Sequence, residues 1–223
     1  MTTTDQTYAT KVAALKDGIA AKAPAEVLSV FAAEQAELAA AGVPSALASV
    51  GTAIPDADLL DARGEATTLG RELAGKPAVL VFYRGAWCPF CNLALRTYQE
   101  QVVEVLADKG IGFFAVSPQK PDGSLSIVET NELTFGVLSD AGNKIATKLG
   151  VLNPERGQEA RAAAAALGAD VAGGNGDGTD NLPMPTTVVV DAAGIIRWID
   201  VHPDYTERTE PQAILDAVAA TIG

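Results

Sequence analysis

Two cysteines, Cys88 and Cys91, are the residues of this chain best suited to chemistry, and two residues separate them. They lie in the run Trp-Cys-Pro-Phe-Cys, after an apolar segment and at the start of a helical pattern. If Pro89 is the first helical residue, Cys88 is the N-cap, and its sulfur faces unpaired N–H groups and the positive end of the helix dipole. This position predicts a stabilised thiolate, with the pKa of Cys88 lowered from about 8.5 to roughly 7 or below.

Cys91 follows one turn later, on the same helix face, where it can attack a sulfur adduct formed on Cys88. The alternative is a structural pair of small core residues, because free cysteine packs like an apolar side chain. A disulfide that closes so short a loop stabilises a fold little. The spacing therefore favours a redox dithiol over a crosslink.

Four further residues are expected to support this pair. Arg84 either ties down the loop through an ion pair or holds an anionic intermediate beside the sulfur, and the sequence leaves both interpretations open. Trp87 on its own predicts only packing. Pro185 and Thr186 precede a later apolar segment, and Pro185 belongs at the first residue of that strand because proline cannot join a central ladder. We expect a cis peptide at Pro185 that places backbone against the cysteines, with an ordinary trans proline as the alternative.

Apolar runs and helical periodicities predict the elements that position these residues. The predicted strands are 77–83, 111–116, 135–138, 186–190 and 195–199. The predicted helices are 9–23, 26–41, 89–109, 124–133, 143–149, 155–167 and one that Thr209 caps and that runs to Ile222. This order predicts an α/β fold, with a mixed central β-sheet flanked by helices on both faces.

The helical pattern of residues 1–45 carries no motif, so we expect an N-terminal helical extension that packs on a main domain formed by residues 46–223. A looser insert spans 153–182, and its Gly- and Asp-rich stretch 173–178 predicts a mobile surface loop. A calcium or phosphate site is the alternative for that stretch. It is disfavoured because the glycines do not follow a strand and open a helix.

Composition excludes several classes of function. The 223 residues include 16 Lys and Arg against 28 Asp and Glu, a formal charge of −12, which argues against nucleic-acid binding and against attraction to anionic membranes. No run of 18 apolar residues exists, and residues 1–5 do not resemble a secretory signal. Two cysteines and one distant histidine, His202, cannot form a tetrahedral zinc site, so we expect no metal; His202, beside Pro203, is expected in an exposed loop.

The cysteine motif and the Pro-Thr pair before a later strand resemble the thioredoxin superfamily. The segments around 50–56, 64–69 and 82–83 resemble peroxiredoxins of the alkyl hydroperoxide reductase/thiol-specific antioxidant (AhpC/TSA) family. Closer matches to its Cys-x-x-Cys branch are the segments 83–92, 116–119, 138–140, 204–205 and 210–211. The resemblance covers about residues 46–223, and it implies a thioredoxin fold and a thiol-dependent activity.

Typical peroxiredoxins read Pro-x-x-x-Thr-x-x-Cys, and this chain departs from that pattern. In that register Arg84 stands at the proline, Cys88 at the threonine and Cys91 at the peroxidatic cysteine. The comparison with thioredoxin and the N-cap position instead make Cys88 the attacking sulfur, which is the assignment we favour. The arginine that peroxiredoxins carry on the later strand is also absent, and Pro185 lies near its position. Arg84 is the residue that could take its place.

Three functions remain open at this point. The leading hypothesis is a thiol peroxidase that reduces hydroperoxides through Cys88 and Cys91, with an external dithiol such as a thioredoxin-like protein as reductant and no bound cofactor. The first alternative is a thiol–disulfide oxidoreductase, and the second is a non-catalytic interaction module. The resemblance implies a homodimer. A cytoplasmic location is expected from the reducible thiol pair and the lack of a signal.

Overall fold

The computed structural model describes residues 7–222. Residues 1–6 of the predicted extension, which include the segment unlike a secretory signal, lie outside the described part, as does Gly223. The strands are β1 (Asp58–Asp61), β2 (Ala66–Thr68), β3 (Ala78–Phe82), β4 (Gly112–Ser117), β5 (Gly136–Ser139), β6 (Thr186–Val190) and β7 (Ile196–Val201). The helices are α1 (Tyr8–Ala20), α2 (Ala25–Ala41), α3 (Leu69–Leu73), α4 (Pro89–Tyr98), α5 (Glu104–Ala107), α6 (Pro121–Asn131), α7 (Lys144–Leu149), α8 (Gln158–Ala166), α9 (Val171–Gly174) and α10 (Pro211–Thr221). None of these helices is long and apolar enough to cross a membrane.

The seven strands form one mixed sheet in the order β2-β1-β5-β4-β3-β6-β7. The three central strands β3, β4 and β5 run parallel, and the outer strands pair antiparallel. Successive residues of β3 point to opposite faces: Val79 and Val81 enter one buried cluster, and Leu80 and Phe82 enter the other. Because both faces are covered, the apolar run that predicted this strand is continuous rather than alternating. The predicted mixed sheet flanked by helices is confirmed.

The predicted elements differ from the structure in several places, among them the short helices α3 and α9, which were not predicted, and the start of α6 at Pro121. The hairpin of β1 and β2 was not predicted, because its short strands carry a mixed, weakly alternating sequence. A π-helical turn, Gln99–Val103, interrupts the predicted helix 89–109 and joins α4 to α5. The last helix begins one residue later than predicted: Glu210 is its N-cap, whereas the Thr209 hydroxyl donates to Asp200 Oδ2 at 2.8 Å.

Specific polar contacts hold the N-terminal helices to the sheet-containing part. The backbone N–H groups of Tyr8 and Ala9 both donate to the Glu210 carboxylate at 2.8 Å, which caps α1 with a residue that also caps α10. In α2, Glu34 forms a buried ion pair with Arg156 of the insert, with 2.7 Å between Oε1 and Nε. The domain boundaries at 45 and 46 remain a prediction.

The insert is built from two helices and a hydrogen-bonded turn. Helix α8 packs against α2, and α9 includes the first two residues of the Gly-rich stretch. Within that stretch Asn175 is buried, and its side-chain amide donates to the carbonyl oxygens of Thr179 and Asn181. One residue of the Gly-rich sequence is therefore a buried anchor.

Candidate active site

The end of β3 and the start of α4 place the two cysteines together, near the carboxyl ends of the parallel strands. Cys88 is the N-cap of α4 and Pro89 is its first residue, as the sequence predicts. The Cys88 and Cys91 side chains are both free thiols, and the residues are only 1% and 0% exposed. In an open α/β sheet this edge is the usual place for a ligand or reaction site.

The expected acidity of Cys88 is wrong. Its sulfur accepts no hydrogen bond from the helix N–H groups; the backbone N–H groups of Cys91 and Asn92 donate to the Cys88 carbonyl oxygen instead. Burial raises the pKa of the Cys88 thiol, and the hydrogen bond to Cys91 and the negative charge there raise it further. The thiol of Cys88 is therefore the protonated member of the pair.

Cys91 is the acidic member. Arg208 Nη2 lies 3.0 Å from Cys91 Sγ, inside the protein. Burial disfavours the thiolate, but the Cys88 hydrogen bond, the Arg208 charge, the Arg84 backbone N–H and the Arg84 charge outweigh it and lower the pKa of Cys91 to about 5. At neutral pH Cys91 is a thiolate held by a buried guanidinium.

Arg208 is the functional residue that sequence reasoning missed. It lies in the loop between β7 and α10, is 8% exposed, and donates from Nη1 to the carbonyl oxygens of Tyr205 and Glu207. These bonds fix the guanidinium so that Nη2 faces the sulfur. The arginine therefore comes from the loop after β7, 117 residues from Cys91, and not from the strand that follows Pro185 or from Arg84 alone.

Arg84 is a stacked cation, and the ion-pair interpretation of its side chain is wrong. Within residues 7–222 no carboxylate forms an ion pair with it. Its guanidinium lies 3.8 Å from the centre of the Tyr205 ring and 5.0 Å from that of Trp87, which are cation–π distances. Trp87 is thus a packing partner of a buried charge beside the cysteines.

Pro185 and Thr186 line a cavity together with Cys91 but not with Cys88. The expected cis peptide is not present: no peptide bond within residues 7–222 is cis. The Pro185 carbonyl accepts the backbone N–H of His202 at 2.9 Å, which ties the segment to the end of β7. Pro185 and Thr186 line a cavity of about 10 Å³ that also touches Cys91, Arg208 and His202. That volume holds about one water molecule.

His202 does not lie in an exposed loop. Its side chain is 20% exposed, and Nε2 lies 2.9 Å from Asp200 Oδ2. The same carboxylate oxygen accepts the Thr209 hydroxyl, so a half-buried polar cluster borders the small cavity. Sequence reasoning did not predict this cluster, because Thr209 reaches Asp200 only when the loop after β7 has folded back.

A second and larger cavity, of about 360 Å³, touches Cys88 and not Cys91. Its wall is built by the turn before α4, the two N-terminal helices and the end of α8, and its lining residues include Ile19, Phe31, Phe90, Ala164, Leu167 and Ala169. The two sulfurs thus face different spaces. Cys91 lines a very small cavity together with Arg208 and His202, and Cys88 lines a larger cavity with mostly apolar walls.

A thioredoxin-fold protein with a buried, paired dithiol is the class that this geometry defines. The family model that matches the chain is the AhpC/TSA family, over residues 50–199, and the chain belongs to this family. A curated relative, "Peroxiredoxin Q, chloroplastic" of Populus jackii, is 26% identical over 166 residues, which are 74% of this chain and 64% of the relative. The match therefore spans slightly less than two thirds of that protein's length.

Solved structures of similar fold include peroxidoxin BcpB of Mycobacterium tuberculosis, with a TM-score of 0.57, 19% identity and coverage of 76% of this chain and 94% of that one. A peroxiredoxin-like protein of Aquifex aeolicus has a TM-score of 0.59 and 17% identity, and covers 78% of this chain and 88% of its own. At these identities the comparison concerns the fold. The predicted thioredoxin fold and the resemblance to the AhpC/TSA family are both confirmed.

Proposed function

We propose that the protein is a thiol-dependent peroxidase in which Cys91 attacks the hydroperoxide and Cys88 resolves the product. The observation that carries this proposal is the 3.0 Å contact between Arg208 Nη2 and Cys91 Sγ. A thiolate, not a thiol, is the nucleophile. The sequence favoured Cys88 as the attacking sulfur. This proposal assigns the attack to Cys91, because Arg208 contacts the Cys91 sulfur and not that of Cys88.

In the first step the Cys91 thiolate attacks the terminal oxygen of the hydroperoxide. The S–O bond forms as the O–O bond breaks, the electron pair leaves with the second oxygen as alkoxide or hydroxide, and that oxygen takes up a proton. Cys91 becomes a sulfenic acid. Arg208 faces the place where the sulfur and the attacked oxygen meet, and its N–H groups stabilise negative charge there.

In the second step the Cys88 sulfur gives up its proton and attacks the Cys91 sulfur. A disulfide forms and the sulfenic oxygen leaves as water. The two residues lie within one helical turn, so this step needs no rearrangement of the fold. An external dithiol then reduces the disulfide by exchange, and no bound cofactor takes part.

A second candidate function is thiol–disulfide exchange with a disulfide substrate. The observation in its favour is the position of Cys88 at a helix N-cap beside an open apolar cavity of about 360 Å³. In that reaction the attacking sulfur would be Cys88. The pKa of Cys88, which burial raises, weighs against it.

The experiment that tests the proposal uses two single variants, C88S and C91S, mixed with peroxide in stopped flow with Trp fluorescence and mass spectrometry. C88S should consume one equivalent of peroxide and stop at a sulfenic acid that a dimedone-type reagent traps on Cys91. C91S should not react faster than free cysteine. Rapid peroxide consumption by C91S would refute the assignment, and inertness of the unaltered protein would refute the peroxidase.

Two expectations from the sequence stay predictions. The homodimer implied by the family resemblance is checked by sedimentation of the reduced and oxidised protein. The cytoplasmic location is checked by fractionation of cells that express the full chain. Unchanged rates of peroxide consumption and of disulfide reduction in both C88S and C91S would leave only the interaction module.

A further inference from the structure

The 360 Å³ cavity is closed on one side by Cys88 and on the opposite side by parts of the chain outside the sheet. Ile19 comes from α1, Phe31 from α2, and Ala164 and Leu167 from the end of α8. Its volume falls in the range of small-molecule sites. Any reagent that reaches Cys88 from this side must fit among these helices.

Two arginines give the apolar cavity a charged wall. Arg84 and Arg156 line it, and both also line an adjoining cavity of about 100 Å³. Arg84 Nε and Arg156 Nη1 are buried and have no hydrogen-bond partner among the described residues. Each of the two guanidinium groups therefore keeps hydrogen-bonding capacity that the protein itself does not use.

The charge of this wall does not cancel. Glu34 pairs with Arg156 and not with Arg84: one of its carboxylate oxygens accepts Arg156 Nε, and the other accepts the Tyr205 hydroxyl and Arg156 Nη2. Arg84 and Arg156 are the charged residues that line the 360 Å³ cavity, and no Asp or Glu of the described residues lines it. Glu34, Glu37 and Glu155 line the adjoining cavity instead, so the larger cavity keeps one net positive charge when Glu34 is counted against Arg156. In a chain with a formal charge of −12 this is a local exception, and it suits a single carboxylate.

We propose that this cavity binds the reductant of the Cys88–Cys91 disulfide, a low-molecular-weight dithiol with an apolar chain and a terminal carboxylate. The proposal rests on the disulfide of the proposed function and adds the class of its reductant. The carboxylate pairs with the positive charges of Arg84 and Arg156, which line the cavity, and the chain lies among the apolar side chains. A protein reductant is disfavoured because Cys88 is 1% exposed and α2 and α8 stand in front of it.

The exchange is balanced without another reagent. A thiolate of the dithiol attacks Cys88 Sγ, the S–S bond breaks, and Cys91 leaves as a thiolate beside Arg208. The second thiol of the reductant then attacks its own sulfur in the mixed disulfide and closes a ring, and Cys88 leaves and takes up a proton. The protein gains the two electrons that the dithiol loses.

The test measures this reductive half-reaction alone. The disulfide is prepared with a diazene oxidant instead of peroxide, and its reduction is followed by stopped-flow Trp fluorescence. The probes are reduced lipoic acid and reduced lipoamide, which share the dithiol and the chain and differ in the carboxylate. The acid is expected to react about tenfold faster than the amide, the size of a charge-assisted hydrogen bond.

A pair of exposed leucines gives matched variants. Leu167 is 52% exposed at the mouth of the cavity, and Leu125 is 41% exposed on α6, away from it. Leu167→Glu should slow the acid about tenfold and leave the amide within twofold, whereas Leu125→Glu should leave both rates unchanged. Thermal unfolding of both variants confirms that they fold.

Three outcomes would overturn the proposal: equal rates with the acid and the amide, an unaltered preference in Leu167→Glu, or faster reduction by a thioredoxin at equal concentration. The acid–amide comparison uses the unaltered protein, so it decides even if a variant fails to fold. If peroxide does not oxidise the reduced protein, the peroxidase fails, while the diazene-prepared disulfide still tests this cavity.

Discussion

The chemistry of the pair is decided by which sulfur meets the cation. An N-cap position stabilises a thiolate little when its sulfur accepts no hydrogen bond from the helix N–H groups, as at Cys88. A buried guanidinium 3.0 Å from the sulfur, as at Cys91, stabilises the thiolate more. Cys88 and Cys91 divide the work accordingly. In the proposed peroxidase, Cys91 is kept as an anion, and Cys88 keeps its proton until it attacks the sulfenic acid on Cys91.

The pH dependence of oxidation follows from the pKa of Cys91, lowered to about 5 by its hydrogen bond to Cys88 and the Arg208 charge, despite burial. The second-order rate constant of the reduced protein with peroxide should be flat above about pH 6. It should fall tenfold per pH unit below pH 5, as the thiolate takes up a proton. Stopped flow between pH 4 and 8 checks this, with C88S to isolate Cys91. A midpoint near 8.5 would contradict the assignment.

Replacing Arg208 by methionine removes the charge and keeps most of the volume. The pKa of Cys91 should rise by at least one unit, because burial then acts with less opposition. Absorbance of the thiolate at about 240 nm against pH measures the shift, and the rate with peroxide at pH 7 should fall at least tenfold. Arg96→Met, on the exposed side of α4, is the matched control and should change neither quantity.

Local sequence predicted the positions of Cys88 and Pro89 well, because an N-cap and a proline at the next residue are set by four or five neighbouring residues. It could not predict Arg208. The loop after β7 reaches Cys91 only when the antiparallel pairing of β3, β6 and β7 has formed. The signal that would have found it is an arginine between a predicted strand and the last helix, on a fold whose site lies at that edge.

The turn between β3 and α4 depends on Gly85. Its φ is +154°, and a Cβ there would lie 2.5 Å from Trp87 Nε1 and 2.8 Å from Gln119 Cδ. Gly85→Ala must displace the indole or the amide, and we expect a loss of about 1–3 kcal/mol in the free energy of unfolding and an altered Trp emission. Urea unfolding monitored by fluorescence measures both.

Gly110→Ala is the control for that substitution. Gly110 also has a positive φ, of +70°, but no atom lies within 4 Å of a Cβ built on it. This variant should lose only the backbone contribution, about 1 kcal/mol, with unchanged Trp emission in the folded state. Equal effects of the two variants would mean that contact with Trp87 does not restrain the turn.

Strands buried on both faces were the easiest elements to predict, and short edge strands were the hardest. The run at 77–83 has no alternative as a helix because it is short, apolar and bounded by Pro77 and Gly85. The hairpin of β1 and β2 has strands of four and three residues at the edge of the sheet. The hairpin is held in place by the antiparallel pairing of β1 with β5, a long-range contact that the local sequence does not indicate.

For the molecule as a whole, the thiolate links redox state to stability. The pKa of Cys91 is about 5 in the folded protein and about 8.5 in an unfolded chain. A lowered folded-state pKa contributes stability that is complete above the unfolded value and is lost as pH falls through the folded value. The disulfide form has no thiolate, so it lacks this contribution at every pH.

Between pH 7.5 and pH 4.5 the free energy of unfolding of the reduced protein should therefore fall by about 3 kcal/mol more than that of the disulfide form. The reason is that the thiolate contributes the equivalent of about 2.5 pKa units at pH 7.5 and almost nothing at pH 4.5. Urea unfolding of both forms at each pH measures the difference, in which the contributions of all other titrating groups cancel. Arg208→Met should flatten it. Parallel pH profiles of the two forms would show that no buried thiolate stabilises the native state.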